Sequence, residues 1–195
     1  MLPLTSAARR WLLGLARSSL EAVGRGEPIP PSSPPSEFSD SDREALNHPR
    51  AVFVSLHRRG MLRGCVGHLR CDTPLARLVA EMTLAAARQD ARFSPVAPEE
   101  IPDIELEISV LSPFVPVQPE QVIPGIHGLL VRRGSHRGLL LPQVAASRQW
   151  DCLTFVGEAC RKAGLAPDAW KHGAQVEAFT AEIMAEHNLV GEPRP

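Results

Sequence analysis

Leu62-Arg63-Gly64-Cys65-Val66-Gly67-His68-Leu69 is the stretch from which the rest of the chain is best read. It holds an arginine, a cysteine, a histidine and two glycines in close succession. Ala51 to Leu56, just before it, is an apolar run of strand length. His57-Arg58-Arg59-Gly60 lies between them as a charged turn, so the two runs predict a hairpin. In an extended chain side chains alternate between faces. That alternation puts Arg63, Cys65, Gly67 and Leu69 on one face, and Leu62, Gly64, Val66 and His68 on the other. A glycine weakens a strand, so each one here signals a close approach, a ligand or a bulge.

After the motif, Asp72-Thr73-Pro74 reads as a helix start, with a capping side chain and proline in the first turn. Leu75, Leu78, Val79, Met82, Ala85 and Ala86 recur at helical spacing. The small residues Ala85-Ala86-Ala87 suit a helix lying close on a sheet. Gln89-Asp90 ends this helix, and Ala91 to Pro95 is a polar loop. Ile104 to Leu111 alternates cleanly, with Ile104, Leu106, Ile108 and Val110 facing a core. Before the motif, Ala8, Trp11, Leu12, Leu15, Ser19, Ala22 and Val23 line one face of a first helix. Thr5 or Ser6 caps it, and Gly24 and Gly26 end it. Residues 27–37 carry five prolines and form an extended arm. Pro113 to Pro124 is a second proline-rich connection. Leu129 to Val131 and Gly138 to Leu141 form another hairpin around Arg133-Gly134-Ser135-His136. Asp151 caps a helix with stripe Leu153, Val156, Cys160 and Ala163, stopped by Gly164 and Pro167. Val176 to Met184 reads as a last strand. Hairpins mixed with helices predict an α+β fold with a mainly antiparallel sheet flanked by helices.

The chain has 195 residues, 44% of them hydrophobic and 22% charged, with a net charge of −1. That suits one globular domain and gives no electrostatic footprint for nucleic acid. No apolar run reaches membrane-span length. The cysteines, at 65, 71, 152 and 160, lack disulfide-scaffold or zinc spacing and read as reduced thiols, which points to the cytoplasm. The first twenty residues have a transit-peptide composition, but their apolar stripe fits an ordinary core-facing helix.

Leu62 to Gly67 resembles the L-R-G-C-[IV]-G hallmark of the AMMECR domain family. Further matches follow in order. Asp90 to Pro95 is similar to D-x-R-F-x-P, and Ile108 to Ser112 to V-S-V-L-S. Gly125 to Leu129 is similar to G-x-H-G-L, Gly138 to Val144 to G-x-L-L-P-Q-V, and Lys162 to Leu165 followed by Trp170 to K-A-G-L…W. The resemblance runs from the first helix to Glu186. His68 stands where the family commonly has Thr or Ser, and Cys71 is an added thiol, so no role is carried over to either. The resemblance implies a main lobe of residues 1–112 and 151–190 and a smaller lobe, with its hairpin, of 113–150. It implies no settled activity and no cofactor. Bacterial relatives encoded beside a Memo-like protein and a radical SAM protein suggest a shared modification or redox system. A component of it that binds substrate or partner is the first functional expectation.

Two readings of Cys65 remain open from sequence. A nearby Arg63 would favour the thiolate and make Cys65 a nucleophile. Otherwise Cys65 packs, and Arg63 pairs with a carboxylate such as Glu105, Glu107 or Asp90. His68 lies on the opposite face and would need a twist to serve as base. A second set, Asp90, Arg92, His127, Gln143 and Trp150, is expected to converge on a cleft, with Arg92 able to clamp a carboxylate or phosphate. A soft metal site at Cys65, Cys71 and His68 lacks the usual spacing, and none is expected. A protein-interaction module without chemistry is the third reading.

Overall fold

A computed structural model describes residues 3–69 and 72–189. Thr5 caps the first helix, α1 (Ser6–Arg25), by accepting a hydrogen bond from the Ala8 N–H, and Gly26 ends it in the left-handed region. The arm of residues 27–37 leads to α2 (Asp40–Asn47), capped by Ser39. Strands β1 (Val52–Arg58) and β2 (Met61–His68) form the expected hairpin. The strands run further than expected and meet at a two-residue Arg59-Gly60 turn, both residues with positive φ. Next come α3 (Leu75–Arg88), a 3-10 turn over Pro98–Asp103 and strand β3 (Ile104–Leu111). The short β4 (Val115–Pro116) precedes the hairpin β5 (Gly128–Arg133) and β6 (His136–Leu140). Helices α4 (Pro142–Arg148) and α5 (Cys152–Lys162) follow, then β7 (Gln175–Phe179) and β8 (Ala181–Ala185).

The strands form two four-stranded sheets, ordered β2-β1-β3-β8 and β4-β7-β5-β6. The described pairings are antiparallel, as expected for the α+β class. Chain contacts divide the molecule into two units, residues 1–110 with 183–195, and residues 111–182. This differs from the expected lobes, which placed 151–182 with the main lobe. The reason is packing. Phe155, Val156, Ala159 and Cys160 of α5 share a buried core with Leu129 and Val131 of β5 and with Val176 and Ala178 of β7.

In the first unit Val52, Val54 and Leu56 sit beside Val110, Ile108 and Leu106 in register. These six are buried together with α1 and α3. Burying such side chains contributes about 1.5–3 kcal/mol each before entropy is counted. The opposite sheet face carries Phe53 and Ser55 beside Ser109 and Glu107. Gly64 explains the close fit of α3. A Cβ at that position would fall on the Ala86 carbonyl oxygen. At Gly67 a Cβ would strike the Phe53 ring, so this glycine makes room for an aromatic side chain and not for a ligand.

Other expectations change in detail. No side chain caps α3, because Pro74 occupies its N-cap and bridges to Pro49, while Thr73 hydrogen-bonds Asp72. The last strand is two strands in different sheets. The chain passes between them at Thr180, whose carbonyl accepts from the Ser112 N–H and whose N–H donates to Ser112 Oγ. After the second hairpin, Pro142 and Gln143 open α4, with proline in its first turn.

Candidate functional site

The motif strand lies at the edge of its sheet, and a bulge sets what it presents. In the β1–β2 register Leu56 opposes Gly64 and His57 opposes Leu62, so Arg63 is the extra residue. Bulges turn a side chain away from its alternating position. Arg63 reaches Glu100 through both Nε (3.0 Å) and Nη2 (2.8 Å). It also donates to the carbonyls of Ser94 (2.9 Å) and Pro95 (3.3 Å). Glu100 further accepts from Arg58 at 2.9 Å and from the Ala97 N–H at 2.9 Å. The Arg63 fork, with help from the Ala97 N–H, holds the Glu100 carboxyl down to about 2. Arg63 therefore pairs with a carboxylate, but with one carried by the 3-10 turn and not by Glu105, Glu107 or Asp90.

Beside the bulge, Asp90 and Arg92 seal the strand edge. Asp90 accepts the Cys65 N–H at 2.8 Å, and Arg92 donates to the Cys65 carbonyl at 3.2 Å. The two side chains also bind each other, Arg92 Nε and Nη2 reaching the two Asp90 oxygens at 2.9 and 2.7 Å. Together they replace the neighbouring strand that Cys65 lacks. Arg92 holds the Asp90 carboxyl well below the usual carboxylate range, and the Cys65 N–H adds to this. The Arg92 guanidinium also lies over the Phe93 ring, 5.4 Å from its centre.

The Cys65 thiol is half-buried and accepts a hydrogen bond from Ser55 Oγ at 3.2 Å. Burial pushes its pKa up. Ser55 and the Arg92 charge oppose that shift without reversing it, and Asp90 and Glu107 reinforce it. The cation beside the thiol is Arg92, not Arg63. His68 stands opposite Val52, three positions along the strand from Cys65. Cys71 lies outside the described residues. Among the described residues no group of three or more His, Cys, Asp or Glu side chains is arranged to hold a metal ion.

Asp90 and Arg92 belong to the first unit, and His127, Gln143 and Trp150 to the second. His127 closes a turn, its Nδ1 accepting the Ile123 N–H at 3.1 Å. It also lines a cavity of about 260 Å³ with Val115, Pro116, Phe179 and Thr180. Gln143 sits in the first turn of α4. Trp150 packs against Phe155, with ring centres 6.3 Å apart, and lies partly buried against the core of its unit. A larger cavity of about 550 Å³ lies between Gln118, Glu120, Trp170, Lys171, Gln175 and Glu177. Sequence reasoning picked out neither this cavity nor Glu100. The one available signal was the E-E-I-P run, which fits a short acidic turn as readily as a binding group.

The fold is thus an α+β protein of two sheets whose glycine-containing edge hairpin is locked by an Arg–Glu fork and an Asp–Arg clamp. The AMMECR1 family model matches residues 13–184, and the chain belongs to that family. It is 37% identical over 195 residues to a protein of Methanosarcina acetivorans, covering 97% of this chain and 96% of the relative. A protein of Methanothermobacter thermautotrophicus is 38% identical over 192 residues, covering 94% and 97%. The crystal structure of an uncharacterized protein from Pyrococcus horikoshii superposes with a TM-score of 0.84 at 34% identity, covering 94% of this chain and 93% of that one. No helix among the described residues is long and apolar enough to cross a membrane.

Proposed function

We propose that this protein is a partner-binding component of a modification or redox system, acting with a Memo-like protein and a radical SAM protein, and that its L-R-G-C-V-G segment holds the fold together. One observation carries the second half. The charged groups around the motif are engaged within the chain: Arg63 on Glu100, Asp90 and Arg92 on the Cys65 backbone and on each other. A nucleophilic thiol needs a neighbouring charge or base that favours the thiolate. Here burial outweighs the one cation nearby. The first half rests on the family resemblance and on the neighbours it suggests.

The test is co-elution. The purified full chain is mixed with the purified Memo-like and radical SAM proteins and run on a size-exclusion column. Elution of the chain with either protein, unchanged by Cys65→Ser, is the expected result. Failure to elute with either one overturns the partner reading. Co-elution lost with Cys65→Ser in a folded variant returns the thiol to the site.

A further inference from the structure

The two units differ in how their cations are held. Every arginine described in the first unit has a partner. Examples are Arg17 with Glu186, Arg43 with Asp40, Arg77 with Glu81 and Arg88 with the Val23 carbonyl. In the second unit Arg133, Arg137, Arg148 and Lys162 have no hydrogen-bonding or ionic partner among the described residues. All four are exposed. The sequence shows the same asymmetry, with no Asp or Glu between Glu120 and Asp151.

Three of these cations share one corner. The β5–β6 register places Arg132 opposite Arg137, and Arg133 opposite His136. The turn between them is Gly134-Ser135, with Gly134 at φ 59. Lys162 ends α5 against the same hairpin. A Cβ on Gly138 would strike the Lys162–Ala163 backbone, and His136 Nδ1 donates to the Ala163 carbonyl at 3.2 Å. Arg132 alone is neutralised, by Glu177 at 3.1 Å. Like charges directly opposite on paired strands are destabilising. Arg133, Arg137 and Lys162 bring positive charge to this tip that no described acid offsets. An anion laid across them would remove the repulsion.

We infer that the β5–β6 tip, with Lys162, docks an acidic segment of a partner protein; this rests on the partner-binding reading above. Guanidinium forks match carboxylates in bidentate geometry. Carboxylates are favoured over nucleic acid because the chain as a whole carries −1, and sequence-tolerant nucleic-acid surfaces add aromatic stacking platforms. Phe114 already lies beneath Arg132, 5.9 Å from ring centre to guanidinium, and packs edge-on to Phe179.

The probe is a fluorescein-labelled octaglutamate peptide, read by anisotropy against the full chain at low salt. Binding is expected, and Arg133→Glu with Arg137→Glu should weaken it about tenfold or more, as should salt raised to about 300 mM. The charge-matched pair Arg43→Glu with Arg77→Glu, in the first unit, should leave it nearly unchanged. Arg133→Gln with Arg137→Gln gives the same test with less change in charge, and thermal melts check that each variant is folded. No binding, or equal loss in the charge-matched pair, overturns the inference. So does tighter binding of a labelled single-stranded DNA of similar length through the same residues. Co-elution with the partner proteins separates the two claims. If it persists in the tip variants, the surface is wrong and the function stands. If the unaltered chain never co-elutes, the function fails whatever the peptide does.

Discussion

In the first unit every described arginine has a partner, whereas in the second Arg133, Arg137, Arg148 and Lys162 have none among the described residues. In the first, Arg63 and Arg58 converge on Glu100, and Asp90 with Arg92 covers the open edge of Cys65. In the second, Arg133, Arg137 and Lys162 stand exposed at a hairpin corner. A group held by many partners within the chain is expected to matter for stability. A group held by none is expected to matter for binding. The motif that looks most like a site in sequence thus falls on the stability side.

Substitutions sharpen that contrast, beginning with the largest effect. Arg63→Ala removes the fork on Glu100 and two carbonyl contacts, and should destabilise the protein by about 3 kcal/mol in urea unfolding. Arg63→Lys should recover only a small part, because an ammonium cannot fork. Gly64→Ala must push the strand off the Ala86 carbonyl and should cost about 2 kcal/mol.

Acid should act on the first unit through the same groups. Glu100 titrates at about 2 in the folded chain, against an ordinary value of 4.5. A depressed carboxylate stabilises fully above its unfolded pKa and loses that contribution as pH falls through the folded one. The urea midpoint should therefore be insensitive to Glu100 above about pH 5 and decline towards about pH 2, with Asp90 adding to the decline. Glu100→Gln should flatten part of that slope. A slope identical to that of the unaltered chain would show that the fork does not couple to folding. The smallest effect belongs to the other unit. Arg133→Gln with Arg137→Gln should change stability by no more than about 0.5 kcal/mol, because neither side chain has a partner to lose.

Much of this arrangement was legible in sequence. The period-2 run of Ile104 to Leu111 and the stripe from Ala8 to Val23 became β3 and α1, because each pattern is long enough to fix its period. Helix α2 escaped notice, since only Ala45 and Leu46 give it an apolar face. The alternation rule misplaced Arg63. A bulge depends on how β1 and β2 pair, which the sequence of one strand does not record. Glu100 was missed for a related reason. It meets Arg63 only across a loop, 37 positions away along the chain. The cations at 132, 133 and 137 could be read directly, but that Arg132 has Glu177 while Arg133 and Arg137 have no partner among the described residues appears only once the acids around them are placed.

The central claim is that Cys65 belongs to the fold and not to a reaction. Its most direct test is the rate of iodoacetamide labelling of Cys65 in the folded protein across about pH 5 to 9, read by peptide mass spectrometry. The account predicts slow labelling at neutral pH that rises only above the ordinary thiol value of about 8.5 and becomes fast when denaturant is added. Fast labelling of the folded chain, with a midpoint well below that value, would contradict it and make Cys65 a thiolate in an open site.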